Sequence, residues 1–219
     1  MTQFKLHYFP RACSMVTLNA LVEAKLDYQV NVVNIMTGEQ KTPDYLKIHP
    51  GGKVPALQVG ERVLTENAAI LLYLDAIAPD AGLLPQSTDP LERAQSVSEL
   101  IWCASSFHPA IRQVRMAMRF TDGDPSGVRA KGVEFSQAMF AQAEARLSQG
   151  EWWFGDAWSI VDVYVNWCVM TAISAEPSLL APCPSLQAHM QRVHARPSFQ
   201  TAMQVSMQLE EAAGIVFPA

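Results

Sequence analysis

Residues 8–16 read YFPRACSMV, with one cysteine where an alternating segment gives way to a helical one. Backbone N–H groups in the first turn of a helix lack partners within it, and the helix dipole favours negative charge there. Cys13, at the predicted first turn of such a helix, is therefore placed to form a thiolate, the species that attacks sulfur and carbon electrophiles. A substrate sulfur held at the same point would feel the same field. The alternative is an inert cysteine filling a small apolar site. Two hydroxyls flank the thiol. Tyr8 alternates with Phe4 and Leu6, which equally describes a half-buried strand aromatic. Ser14 is expected either to donate to a neighbouring thiolate or to accept a first-turn N–H as a cap. The other cysteines, Cys103, Cys168 and Cys183, are distant and form no C-x-x-C pair, which argues against a zinc knuckle or a dithiol centre. Reduced thiols and no metal are expected.

Two further places combine polar residues with helix starts. In TEN, Asn67 is expected to cap a helix, with Glu66 just ahead of it. In SIVD, Ser159 and Asp162 form a variant capping box, read as structural.

The elements that hold these residues follow from periodicity. QFKLHYF alternates as a strand, SMVTLNALVEA reads as a helix, and DYQVNVVNI is β-branched. A right-handed crossover makes those two strands parallel. The polar run MTGEQKTPDYLKIHPGGK is expected to be a connection. VPALQVGERVL reads as two short strands joined at Gly60 and Glu61, and TENAAILLYLDAIA as a helix. The order βαβ then ββα is that of a thioredoxin-like sheet. Helical stretches are expected near residues 91–120, 126–149, 159–175, 185–195 and 198–212, with no strand among them. The predicted division is a thioredoxin-like domain over 1–81, a linker over 82–90 (GLLPQSTDP) and an all-helical domain over 91–219.

A chain of 219 residues can bury two cores, and 49% hydrophobic against 17% charged residues favours a well-packed protein with an additional subunit interface. The formal net charge of −5 offers no basic footprint for nucleic acid. The start MTQFKLHYFP lacks the basic end and apolar core of a signal peptide, and no run is long enough to span a bilayer, so a cytoplasmic protein without membrane contact is expected.

YFPRACS, HPGGKVPAL, LTENAAILLYL and WSIVDV, in this order and spacing, resemble the glutathione S-transferase family, particularly its bacterial Beta-type branch. The resemblance covers nearly the whole chain. It implies glutathione as a co-substrate, no tightly bound cofactor, a homodimer and a small hydrophobic or disulfide acceptor. Cys13 would lie against the glutathione sulfur and form a mixed disulfide with it, while other branches use a tyrosine or serine hydroxyl near Tyr8 and Ser14. The Val54–Pro55 bond would be cis, with the Val54 backbone pairing with the cysteinyl unit. Glu66 would hold the γ-glutamyl ammonium and the helix start at Asn67 its carboxylate. Lys41 or Lys53 would meet the glycyl carboxylate, with Gln40 and His49 as weaker candidates.

His108, in WCASSFHPAI, matches the Beta-type histidine at the glutathione sulfur. Its neutral ring can accept the thiol proton and its charged form can stabilise a thiolate. The alternative is a helix histidine bonded to solvent or to a carbonyl, with Pro109 kinking the helix. Phe107, Ile111, Arg112, Arg115 and Met116 continue that helix and line an electrophile pocket, unless the stripe is core. Thr171 stands where the Beta-type branch carries an aromatic, with Trp167 one turn earlier. The function expected is conjugation of glutathione to electrophiles, exchange with glutathione mixed disulfides through Cys13, or both. The opposed reading is a noncatalytic scaffold of the same fold.

Overall fold

The computed structural model of the protein describes residues 4–217. Gln3 of the expected first strand, and the outermost ends of both expected domains, lie outside the described residues.

Four strands form the sheet: β1 (Phe4–Tyr8), β2 (Tyr28–Val32), β3 (Ala56–Val59) and β4 (Arg62–Thr65), in the order β2-β1-β3-β4. β1 runs parallel to β2, with Leu6 opposite Val30, and antiparallel to β3, with Leu6 opposite Leu57. β3 and β4 close around Gly60, whose φ of 59° is the left-handed value that a tight turn asks of glycine. The alternation in β1 sorts its neighbours. Leu6 and Tyr8 are fully buried on the side of α1 (Ser14–Glu23) and α3 (Asn67–Ile77). His7 points the other way and meets Tyr45 edge-on, ring centroids 5.8 Å apart.

The polar segment expected to connect β2 to β3 holds a short helix, α2 (Pro43–Ile48). Thr42 caps it by accepting the Tyr45 N–H, and Pro43 occupies the first turn, where a missing N–H costs nothing. The T-P-D signal was in the sequence, but six residues fall below the length at which apolar periodicity registers.

One compact unit comprises the chain to Leu83 and again from Arg196 onward; the other is Leu84–Ala195. The helical unit contains α4 (Pro90–Trp102), α5 (His108–Arg115), α6 (Ser126–Leu147), α7 (Ile160–Ile173) and α8 (Pro184–Ala195). The stretch expected as one helix over 91–120 is interrupted by a π-turn at Cys103–Phe107, in which the His108 N–H donates to the Cys103 carbonyl. Pro109 has no N–H to continue the α pattern, so the wider turn falls just ahead of it. Phe107 packs edge-on to Phe140 at 5.7 Å, and Trp102 stacks on Trp153 at 5.3 Å.

The capping box is present, and it does more than end a helix. Asp162 is fully buried and accepts the N–H groups of Trp153 at 2.7 Å and Ser159 at 2.8 Å, and the Ser159 hydroxyl at 3.0 Å. His189 Nε2, from α8, lies 2.8 Å from Oδ1, the oxygen that also accepts the Trp153 N–H, while both Ser159 groups are on Oδ2.

The last helix, α9 (Pro197–Ala212), was expected with the helical half but packs on α1. Besides burying Phe199 and Ala202, it makes polar contacts that apolar periodicity does not register. Arg196 Nη2 donates to Glu23 Oε1 at 2.8 Å, the Ser198 hydroxyl donates to the same carboxylate, and Ser206 Oγ lies 2.7 Å from the Tyr8 hydroxyl. Among the described residues no helix is long and apolar enough to cross a membrane, and no three His, Cys, Asp or Glu side chains are grouped to hold a metal.

Candidate functional site

Cys13 is the N-cap residue of α1 and is half-buried, whereas Cys103, Cys168 and Cys183 are buried. Its Sγ donates to the Val54 carbonyl at 3.6 Å, and the Val54–Pro55 bond is cis. The first helix and the turn before β3 thus meet at the sulfur.

The two hydroxyls expected to compete with the thiol are occupied elsewhere. Tyr8 is fully buried, and its oxygen lies 2.7 Å from both Ser206 Oγ and Met15 Sδ. Burial is the main cause that pushes its hydroxyl far above the ordinary tyrosine pKa. Ser14 is also fully buried; its hydroxyl donates to the Phe9 carbonyl at 3.0 Å and accepts the Phe9 N–H at 3.2 Å. It is neither a first-turn cap nor a donor aimed at the thiol. Both hydroxyls build the support beneath Cys13.

Asn67 departs from expectation in the same way. It is the first residue of α3, not its cap, and it is buried. Its Nδ2 donates to the Cys13 carbonyl at 3.1 Å, and its Oδ1 accepts the Thr17 hydroxyl at 2.6 Å. The side chain cross-ties α3 to the start of α1. The cap position belongs to Glu66, which is exposed, makes no side-chain cap bond and has a φ of 67°. Such a left-handed value is uncommon outside glycine and clusters at binding sites. Among the described residues the Glu66 carboxylate holds no hydrogen bond or ion pair.

Its charge acts instead on His49. Burial holds the His49 ring below its usual pKa; Glu66 opposes that shift, and Lys53 and Lys41 add to it. His49 Nδ1 accepts the Gly51 N–H at 3.1 Å. A Cβ on Gly51 would come within 2.9 Å of the ring, so a side chain there would displace this support. Lys41 Nζ donates to the Gly51 carbonyl at 3.4 Å. Lys53 is exposed, and its ammonium has no hydrogen-bond or ion-pair partner among the described residues. The Lys53 backbone is held by Tyr45, whose hydroxyl donates to its carbonyl at 2.6 Å. Gln40 is half-buried with Nε2 on the Ile35 carbonyl at 3.4 Å. Thr17, Tyr45 and the supporting role of His49 were missed from sequence; only the cap-and-proline signal before Tyr45 pointed to any of them.

In the helical unit His108 begins α5 and is half-buried. Its ring stands edge-on to Trp167 at 4.6 Å, and Nδ1 lies 3.5 Å from the Tyr164 hydroxyl. The expected pocket residues divide. Phe107 and Ile111 are fully buried in the core of this unit, where the three- and four-residue spacing of the helix puts them. Arg112 is half-buried with its guanidinium carbon 5.9 Å from the Phe120 ring centroid, Met116 and Thr171 are half-buried, and Arg115 is exposed.

Comparison with known proteins places this arrangement. Residues 2–76 match the family description "Glutathione S-transferase, N-terminal domain" and residues 133–204 match "Glutathione S-transferase, C-terminal domain". A relative from Escherichia coli, the disulfide-bond oxidoreductase YfcG, is 30% identical over 84% of this chain and 86% of its own. A solved glutathione transferase homolog from Sulfitobacter, with bound glutathione, is 32% identical with a TM-score of 0.85, covering 94% of this chain and 100% of that one. The bacterial beta class glutathione S-transferase of Sphingomonas chungbukensis is 29% identical with a TM-score of 0.81, covering 92% and 98%. The branch that the motifs resemble is thus among the structural relatives, and the chain belongs to the glutathione S-transferase family.

Proposed function

We propose that the protein binds glutathione along the first unit and catalyses thiol exchange through Cys13, together with transfer of glutathione to small hydrophobic electrophiles. The observation that carries this reading is that Cys13 is half-exposed at the start of α1, while Tyr8 and Ser14 are buried and engaged. The glutathione sulfur would lie at Cys13 and the cysteinyl backbone along Val54. The zwitterionic γ-glutamyl end would meet the Glu66 carboxylate and the first-turn N–H groups of α3. Lys53, with its ammonium unengaged, is favoured over Lys41 for the glycyl carboxylate. Asn67 acts indirectly, by holding the start of α1. His108 is proposed, on family resemblance, as the group of the helical unit that serves the glutathione thiolate.

Exchange takes two displacements at sulfur. The Cys13 thiolate attacks the glutathionyl sulfur of a mixed disulfide, the S–S bond breaks, and the acceptor leaves as a thiolate that takes a proton. A second glutathione thiolate then attacks the Cys13 disulfide, releasing oxidised glutathione and the free cysteine. The identity of YfcG as a disulfide-bond oxidoreductase supports this reaction. A scaffold would leave the thiol and the Glu66 carboxylate without use. A homodimer is the assembly favoured by the family resemblance, and a cytoplasmic location is proposed with it.

Incubation with oxidised glutathione, followed by intact mass and peptide mapping, tests the reading. One glutathionyl group on Cys13 is expected; an adduct only on Cys103, Cys168 or Cys183 would overturn it. The binding half has its own measurement. Glu66→Ala is expected to weaken glutathione about tenfold to a hundredfold by calorimetry, the effect of losing a charge-assisted contact. Unchanged affinity would remove Glu66 from the γ-glutamyl site.

A further inference from the structure

Arg11 lies two residues before Cys13 with a φ of 62°, a left-handed value that side chains with a Cβ rarely adopt. A turn of this kind persists only when its surroundings hold it. Arg11 Nη2 donates to Glu210 Oε1, near the end of α9, at 2.8 Å. Its guanidinium carbon lies 3.9 Å from the centroid of the Phe217 ring. Phe217 in turn meets Phe9 edge-on at 5.7 Å, and Phe9 is the residue whose backbone N–H and carbonyl are both taken by Ser14. The turn from Phe9 to Cys13 is therefore gripped by α1 through Ser14 and, through Arg11, by Glu210 and Phe217. The same helix α9 is tied to the far end of α1 through Arg196 and Glu23, so α1 is held at both ends.

The Arg11 side chain is 58% exposed, and an ion pair so open to water contributes little to stability by itself. Its effect lies in what it orients. We propose that Arg11 is a positioning residue for Cys13: with Glu210 and Phe217 it fixes the β1–α1 turn so that Sγ stays at the start of α1 beside Val54. The inference rests on Cys13 being the working thiol, and nothing in it requires Arg11 to touch glutathione.

The test follows Cys13 directly, through the rate at which a dithiodipyridine probe is cleaved by its thiolate to give the mixed disulfide and free thiopyridone. Arg11→Gly keeps a residue that accepts the left-handed turn while removing the ion pair and the stack, so the fold is retained. The probe rate and kcat for mixed-disulfide exchange are expected to fall about threefold to tenfold in Arg11→Gly, with KM for glutathione unchanged. Arg11→Lys, which restores the charge without the planar stack, should recover part of the loss. Glu210→Gln should fall between, and the double variant Arg11→Gly/Glu210→Gln should lose no more than Arg11→Gly alone, because the two residues act as one contact. An unchanged probe rate in Arg11→Gly, even with a lower melting temperature, would overturn the proposal by making the contact merely structural. A reduced probe rate with unaltered exchange turnover would sustain the positioning and sink the assignment of Cys13 as the nucleophile.

Discussion

Replacing Cys13 by alanine is expected to cut glutathione-dependent reduction of a mixed disulfide by about a thousandfold or more, the scale seen when a covalent nucleophile is removed. Affinity for reduced glutathione should change by less than about threefold, because the charged ends of the tripeptide carry most of the binding. The reason for so complete a loss lies in the neighbours. The Tyr8 hydroxyl is buried against Ser206 and Met15, and burial disfavours its ionised form; the Ser14 hydroxyl is closed on the Phe9 backbone. Neither is free to replace a thiol that must itself enter a disulfide. Conjugation is the internal comparison: it survives in the same variant to the extent that another group, with His108 the remaining candidate, stabilises the glutathione thiolate. Steady-state kinetics with both substrate classes, alongside calorimetry, measures this. Full disulfide turnover by Cys13→Ala would move the nucleophile elsewhere.

Asp162→Ala is expected to produce the largest loss of stability. Removing the carboxylate leaves the N–H groups of Trp153 and Ser159, and His189 Nε2, buried without an acceptor. A single orphaned buried donor costs about 1–3 kcal/mol. For a chain of this size about 3 kcal/mol corresponds to a fall of roughly 6–12 °C in melting temperature. Asp162→Asn, which keeps the volume and one acceptor oxygen, should fall by less. Calorimetric melts of the two variants check the order; a loss within about 0.5 kcal/mol for alanine, the range of ordinary surface substitutions, would mean that the contacts do not act as a hub.

What the sequence made legible was what periodicity and local chemistry encode. Alternation around Leu6 located β1 and its parallel partner, Gly60 and Glu61 marked the turn between β3 and β4, and the serine–aspartate pair at 159–162 announced α7. Side chains whose partners are distant in the chain were not legible. Asn67 reads as a cap because asparagine favours helix starts; only the fold brings the Cys13 carbonyl and Thr17 to it, 54 and 50 residues away. Ser14 was read against its own helix, yet its partner is the strand exit at Phe9. Phe107 and Ile111 show the converse limit, since a helical stripe looks the same whether it faces a pocket or a core, and here both are core.

The return of α9 to α1 also bears on how the chain reaches this structure. The first unit is discontinuous: Ser206, which meets Tyr8, and Glu210, which pairs with Arg11, lie 198 and 199 residues downstream of them. Contacts of such long sequence separation close late, because the loop entropy must be overcome before they reward the chain. As the protein is synthesised, the sheet and α1 emerge early but wait for the final helix, with the α9-facing side of α1 uncovered, while Leu84–Ala195 has all its own elements already in hand. The order of synthesis and the order of completion therefore run in opposite directions: the unit begun first is finished last, and the turn bearing the thiol gains its outer support only when Glu210 and Phe217 arrive.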